Sequence, residues 1–210
     1  SYLDVPYATL HEAQRIDIRV PKGKTEPYPV LIWIHGGAWK QGTKSQVPNW
    51  LKQIAAGDFA IASIEYRFSD NPWPAPGADV RAAIRWLRAN AAEYNLNPDQ
   101  FGVLGSSAGG HLSALVAVSS GVEVLNGEEG LGNWDVSGAV QAAAPFYGPH
   151  DFVNLDLDRD VSLCEDEKEM VHGTSDSPET LLLDCSPTFM DCLDLAAEAS
   201  PISYVDSSDP

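Results

Sequence analysis

The chain is poor in positive charge: 13 Lys and Arg stand against 30 Asp and Glu in 210 residues, for a formal charge of -17. A surface of that sign repels phosphate backbones and anionic headgroups, so neither nucleic acid nor a membrane surface is expected as a partner. No apolar run approaches the ~18 residues of a membrane-spanning helix, and no charged, then apolar, then small-residue leader opens the sequence. Because the first residue is Ser1 rather than Met, the missing leader says nothing about compartment. Cysteine is also scarce. Cys164, Cys185 and Cys192 are the only three, none in a C-x-x-C spacing, and with His172 nearby they fit no common zinc pattern. One disulfide plus an odd cysteine is the expectation, which favours a secreted or periplasmic protein over a cytoplasmic one.

What charge there is lies unevenly. Residues 151–210 hold 16 acids against Arg159 and Lys168, a net -14, which leaves -3 for the first 150. The run CEDEKE, from Cys164 to Glu169, reads as a solvated loop, with a calcium site or a basic partner as the sharper alternative. Composition otherwise suits one substantial core: 44% of residues are hydrophobic, and no repeat or low-complexity linker interrupts them.

Periodicity supplies the architecture. QRIDIRVPKG alternates Ile16, Ile18 and Val20 with polar residues and predicts a half-exposed edge strand. VLIWI (30–34), AIASIEY (60–66), FGVL (101–104) and AVQAAAPF (139–146) are short apolar runs, as in a parallel sheet covered on both faces. Between them, Trp50, Leu51 and Ile54 after Pro48 suggest one helix, and the stripe from Val80 to Tyr94 a second. Leu112, Leu115 and Val116 place a third just after Ser107. Strands alternating with helices imply right-handed crossovers in an α/β fold. One domain over 1–210 is expected, with an acidic, cysteine-containing insertion or lid-like region at 151–198.

The chemistry centres on FGVLGSSAGGHLSAL (101–115). Gly105-Ser106-Ser107-Ala108-Gly109 is a G-x-S-x-G sequence, and Ser106 is excluded as its centre because Leu104 would have to be glycine. An apolar strand before it and a helix after it are what a nucleophile elbow requires, so Ser107 is the candidate nucleophile rather than part of a plain glycine turn. HGGAW, His35 to Trp39, follows a second strand. Its Gly36 and Gly37 amides, with that of Ala108, are candidate oxyanion donors.

HGGAW, EYRFS, the stretch ADVRAAIRWLRANAAEYNLNPDQFGVLGSSAGGHLSAL and FYGPHDF resemble the α/β-hydrolase superfamily. They are closest to carboxylesterases of the feruloyl or acetyl-xylan esterase branch, near the hormone-sensitive-lipase-like group. The resemblance covers about residues 10–155 and resumes at ASPISYV. It implies a mostly parallel sheet with helices on both faces, Ser107 as nucleophile, and no metal or organic cofactor. It also implies the chain order Ser, Asp, His, with acid and base on loops after the last two strands. Those strands are not in this sequence, so the fold is expected to be C-terminally incomplete, with acid and base outside this chain and a second chain as one carrier of them.

Among the histidines present, His35 and His111 belong to family motifs and orient backbone, while His150 and His172 are the weak internal substitutes for the base. Trp39, Trp73 and Tyr147 sit on loops at strand ends and are candidate substrate contacts, with aromatic packing as the alternative. Arg67 and Asp79 are expected to form a structural ion pair. The reading is an ester hydrolase acting through an acyl-enzyme on small or polysaccharide-linked acyl esters. The alternative is a truncated or degenerate hydrolase that binds a ligand or partner without turnover.

Overall fold

Strands β1 (Tyr2–Pro6), β2 (Arg15–Arg19), β3 (Tyr28–Ile34), β4 (Ala60–Ile64), β5 (Leu96–Ser106) and β6 (Ala142–Phe146) form one sheet in a computed structural model of the chain. Residues 1–156, 172–187 and 190–210 are described. The spatial order is β1-β2-β4-β3-β5-β6. β4, β3, β5 and β6 run parallel, and β1 and β2 extend the sheet antiparallel.

Central registers follow from burial on both faces. Ile32 lies opposite both Ala62 and Val103, and all three are fully buried. Alternate residues of a strand point to opposite faces, so Ile32 and Val103 join the main core while Trp33 and Leu104 face the other side. Helices α2 (Ala75–Ala89) and α3 (Ala108–Val118) pack into the main core through Val80, Ile84, Leu112 and Leu115. Helix α1 (Asn49–Ile54) covers the opposite face, with Leu51 wedged among Trp33, Val47 and Ile61. Full burial of that leucine is worth about 2 kcal/mol.

Three expectations are corrected. The QRIDIRV strand is not the edge: β2 is paired on both sides, and Ile16, Asp17 and Ile18 are all buried. Its polar residue is tolerated inside because Asp17 accepts the Asp4 amide and meets Arg19 and Lys44. The true edge, β1, is mostly exposed, and its apolar Tyr2, Leu3 and Val5 follow no alternation. The second helix starts and ends earlier than its stripe, at Ala75 and Ala89; Ala91 and Tyr94 are buried in the turn that follows. β5 begins five residues before the run that signals it.

Beyond β6 the described parts of the acidic region contain two short helices, α4 (Pro178–Leu183) and α5 (Leu193–Ala199). Leu182, Leu183, Ala196 and Ala199 join the main core. Cys185 and Cys192 form a disulfide between the two helices. Cys164 and the CEDEKE run lie outside the described residues, and no metal-binding group of three His, Cys, Asp or Glu occurs among the described ones. Nor is any described helix long and apolar enough to cross a membrane.

Candidate active site

Parallel pairing brings the ends of β3 and β5 level, Ile34 beside Gly105, so the loops that follow them meet above the sheet. After β5 the chain turns sharply into α3, and Ser107 takes the strained pair φ 54°, ψ -122°. That conformation is uncommon for a residue with a side chain and persists only when its surroundings impose it. They do. A Cβ at Gly105 would stand 2.1 Å from the Gly109 carbonyl oxygen, and one at Gly109 would stand 2.1 Å from that of Ile34. The Ser107 amide donates to the Phe146 carbonyl at 2.9 Å, which pins the elbow to the end of β6.

The HGGAW turn lies directly against it. A Cβ at Gly36 would come within 2.6 Å of the Ser106 carbonyl oxygen and 3.2 Å of the Ser107 Cβ, so only glycine lets this backbone approach so closely. Gly37 has φ +127°, and Ala38 and Trp39 both have φ 53°, a left-handed run that turns the strand end over the serine. Among the described residues, the amides of Gly36, Gly37 and Ala108 make no backbone hydrogen bond. His35 fixes the turn from below. Its Nδ1 lies 2.8 Å from the Gly36 carbonyl oxygen and its Nε2 2.9 Å from Glu65, with the ring stacked on Tyr66. Burial pushes the Glu65 carboxyl up, but its bonds to His35 and the Lys44 amide outweigh this and hold it below its ordinary range.

Ser107 stands where two chambers meet. One, of about 820 Å³, runs past Gly36 and Gly37 and is walled by Trp33, Trp50, Phe146 and Tyr147. The other, of about 490 Å³, passes Ala38 and Trp39 to reach His172, Asp176 and Glu179 on the acidic region.

The three aromatic candidates separate. Tyr147 is 79% exposed on the first chamber. Trp39 borders the second chamber but is buried, its indole N–H donating to His111 Nδ1 at 3.2 Å. Trp73 borders neither and serves in packing: its ring is buried and its N–H donates to Glu198 at 2.7 Å, tying the α2 entry to α5. Sequence position alone could not distinguish these fates, since all three follow strands.

Of the histidines, His111 is enclosed and bonded to the Ala199 carbonyl at 2.7 Å. Burial lowers its pKa to about 4, with the Ala199 bond opposing that shift and the nearby His150 adding to it. His150 is exposed, and partial desolvation of its ring lowers its pKa. Among the described residues the Ser107 hydroxyl has no side-chain partner, so no described histidine is in place as its base. Arg67 and Asp79 form the expected pair, bidentate at 2.9 Å. The His172–Glu179 pair, 3.1 Å apart, has no sequence signal: it lies in a region without period or motif.

A serine on a strained strand-to-helix turn, faced by a glycine turn from the neighbouring parallel strand, defines an α/β-hydrolase. More narrowly, the chain belongs to the BD-FAE family, whose pattern matches residues 16–210. It is 35% identical to esterase LipQ of Mycobacterium tuberculosis over 99% of its own length and 46% of that protein. Among solved structures it resembles a bifunctional GH43-CE of Bacteroides eggerthii (TM-score 0.85, 32% identity, all of this chain and 27% of that one). It also resembles a truncated carbohydrate esterase from gut microbiota (TM-score 0.79, 30% identity, all of this chain and 73% of that one). The chain spans less than half the length of the first curated relatives it matches.

Proposed function

We propose that this chain carries the nucleophile and oxyanion site of a serine carboxylesterase acting on small or polysaccharide-linked acyl esters. The observation that carries the reading is the strained Ser107 held within van der Waals reach of Gly36 at the junction of two chambers. Ser107 Oγ attacks the ester carbonyl carbon while a base takes its proton. The carbonyl oxygen becomes an oxyanion facing the amides of Gly36, Gly37 and Ala108, each such donor being worth ~3 kcal/mol in the transition state. The tetrahedral intermediate collapses, the alcohol leaves with the proton, and water repeats the sequence on the acyl-enzyme to release the acid.

The base and its acid come from a further part of the polypeptide or a second chain, docked along β6. The exposed Phe146 and Tyr147 at the end of β6, beside Ser107, support that side of the sheet as the place. The esterase names of the relatives and the carbohydrate-esterase likeness support ester and polysaccharide substrates. A fluorophosphonate probe tests the reading on the full polypeptide: covalent labelling at Ser107, lost in Ser107→Ala together with p-nitrophenyl acetate hydrolysis, is the expected result. An unlabelled, inactive full polypeptide would replace it with a binding role for the same cleft.

A further inference from the structure

The two chambers that meet at Ser107 offer opposite chemistry. Among the described residues the first holds no carboxylate, and the buried indole N–H of Trp33 on its wall has no partner. The second holds two carboxylates, Asp176 and Glu179, and the imidazole of His172. An ester divides along the same line. Its acyl half brings apolar surface and hydrogen-bond acceptors, whereas a sugar-like alcohol brings several O–H donors, and an ionised carboxylate only accepts.

The second chamber is built rather than incidental. Ser177 caps α4 by accepting the Thr180 amide at 3.2 Å, and its own hydroxyl donates to the His172 carbonyl. The His172 amide donates to Asp156 at 3.0 Å. These bonds set the backbone of residue 172 against the first turn of α4, where Glu179 is 4% exposed. Glu179 Oε2 then faces His172 Nδ1 at 3.1 Å, a close contact without the alignment of a hydrogen bond. With Nδ1 turned to the carboxylate, Nε2 is the ring nitrogen left for a ligand, and it has no partner among the described residues. Asp176, beside it, is exposed and makes no ion pair or side-chain hydrogen bond among the described residues.

We propose that the chamber beyond Trp39 is the leaving-group subsite and takes a hydroxyl-rich alcohol. The His172 ring and the Asp176 carboxylate are its hydrogen-bond partners, and Glu179 is a positioning residue that holds His172. The inference rests on the ester-hydrolase reading and adds to it which half of the substrate lies where. A hydroxyl-rich alcohol is preferred to a cation because one of the two carboxylates is already matched by an imidazole.

The test uses the full polypeptide with three acetate esters: a mono-acetylated methyl pyranoside, p-nitrophenyl acetate and acetylcholine. His172→Phe should lower kcat/KM for the pyranoside, through KM, about tenfold more than it lowers kcat/KM for p-nitrophenyl acetate. Asp176→Asn should do the same to a smaller extent, and His172→Gln should restore part of the loss. In a Ser107→Ala background, calorimetry with the pyranoside should show the same ranking without any turnover. Equal losses for pyranoside and aryl ester would overturn the subsite, as would unchanged pyranoside binding. Preferential loss of acetylcholine would overturn it in favour of a cation site. If the unmutated protein hydrolyses none of the three and resists the fluorophosphonate, the ester-hydrolase reading itself has failed; labelling with an unmoved pyranoside ranking sinks the subsite alone.

Discussion

The indole N–H of Trp39 donates to Nδ1 of His111 across 3.2 Å, while Nε2–H of the same imidazole donates to the Ala199 carbonyl at 2.7 Å. One buried ring thus joins the oxyanion turn, the nucleophile helix and α5. The bond from Trp39 needs a lone pair on Nδ1, so the arrangement exists only with His111 neutral.

That requirement makes stability depend on pH. The folded pKa, about 4, lies below the ordinary 6.5, so between those values the unfolded chain binds a proton that the folded chain does not. The stabilisation is complete above pH 6.5, falls as pH drops towards 4, and totals up to about 3 kcal/mol. Thermal unfolding at pH 7.5 and 4.5 should show a larger loss for the unmutated protein than for His111→Gln, whose amide can accept from Trp39 and donate to Ala199.

Gly36→Ala tests the approach of the oxyanion turn. Its Cβ would press on the backbone oxygen of Ser106 at 2.6 Å, which no side-chain rotation relieves. Displacing the donor should cut kcat by about 10² or more while KM changes little. Steady-state kinetics beside a melting curve would separate this from unfolding, since the turn lies at the surface of the cleft.

Gly109→Ala should act on the fold. The added methyl would meet the carbonyl oxygens of Ile34 at 2.1 Å and His35 at 2.6 Å, so β3 and the elbow must separate. A loss of at least about 3 kcal/mol, read by denaturant unfolding, is expected.

Asp79→Asn probes the buried Arg67–Asp79 pair. The carboxylate is fully buried and accepts from the Arg67 backbone and guanidinium and from Gln14, so neutralising it leaves the buried guanidinium with only the exposed Glu128, 2.6 Å away, as counter-charge. A cost of about 2–3 kcal/mol is expected, with Arg67→Met in the same background recovering part of it.

Much of this was legible without coordinates. The strands at 30–34 and 60–66 and the serine elbow announce themselves because burial on both faces and crowding at a turn act on adjacent residues. The edge strand β1 did not, since a strand paired on one side is mostly exposed and its apolar residues follow no alternation. Trp39, Trp73 and Tyr147 looked alike as aromatics after strands, and packing alone decided that one reaches the first chamber, one borders the second and one is a tie to α5.

The order of residues by itself determined that Ser107 would sit on a strained bend, because glycines two positions to either side are a local steric demand. It also determined that a glycine turn would follow β3. Only the tertiary structure decided that these two features, seventy residues apart, touch. Their meeting depends on β3 and β5 pairing in parallel with Ile34 level with Gly105. It decided likewise that His172 and Glu179 would line the chamber that reaches Ser107, since side chains from aperiodic segments are placed by what they pack against and not by their spacing.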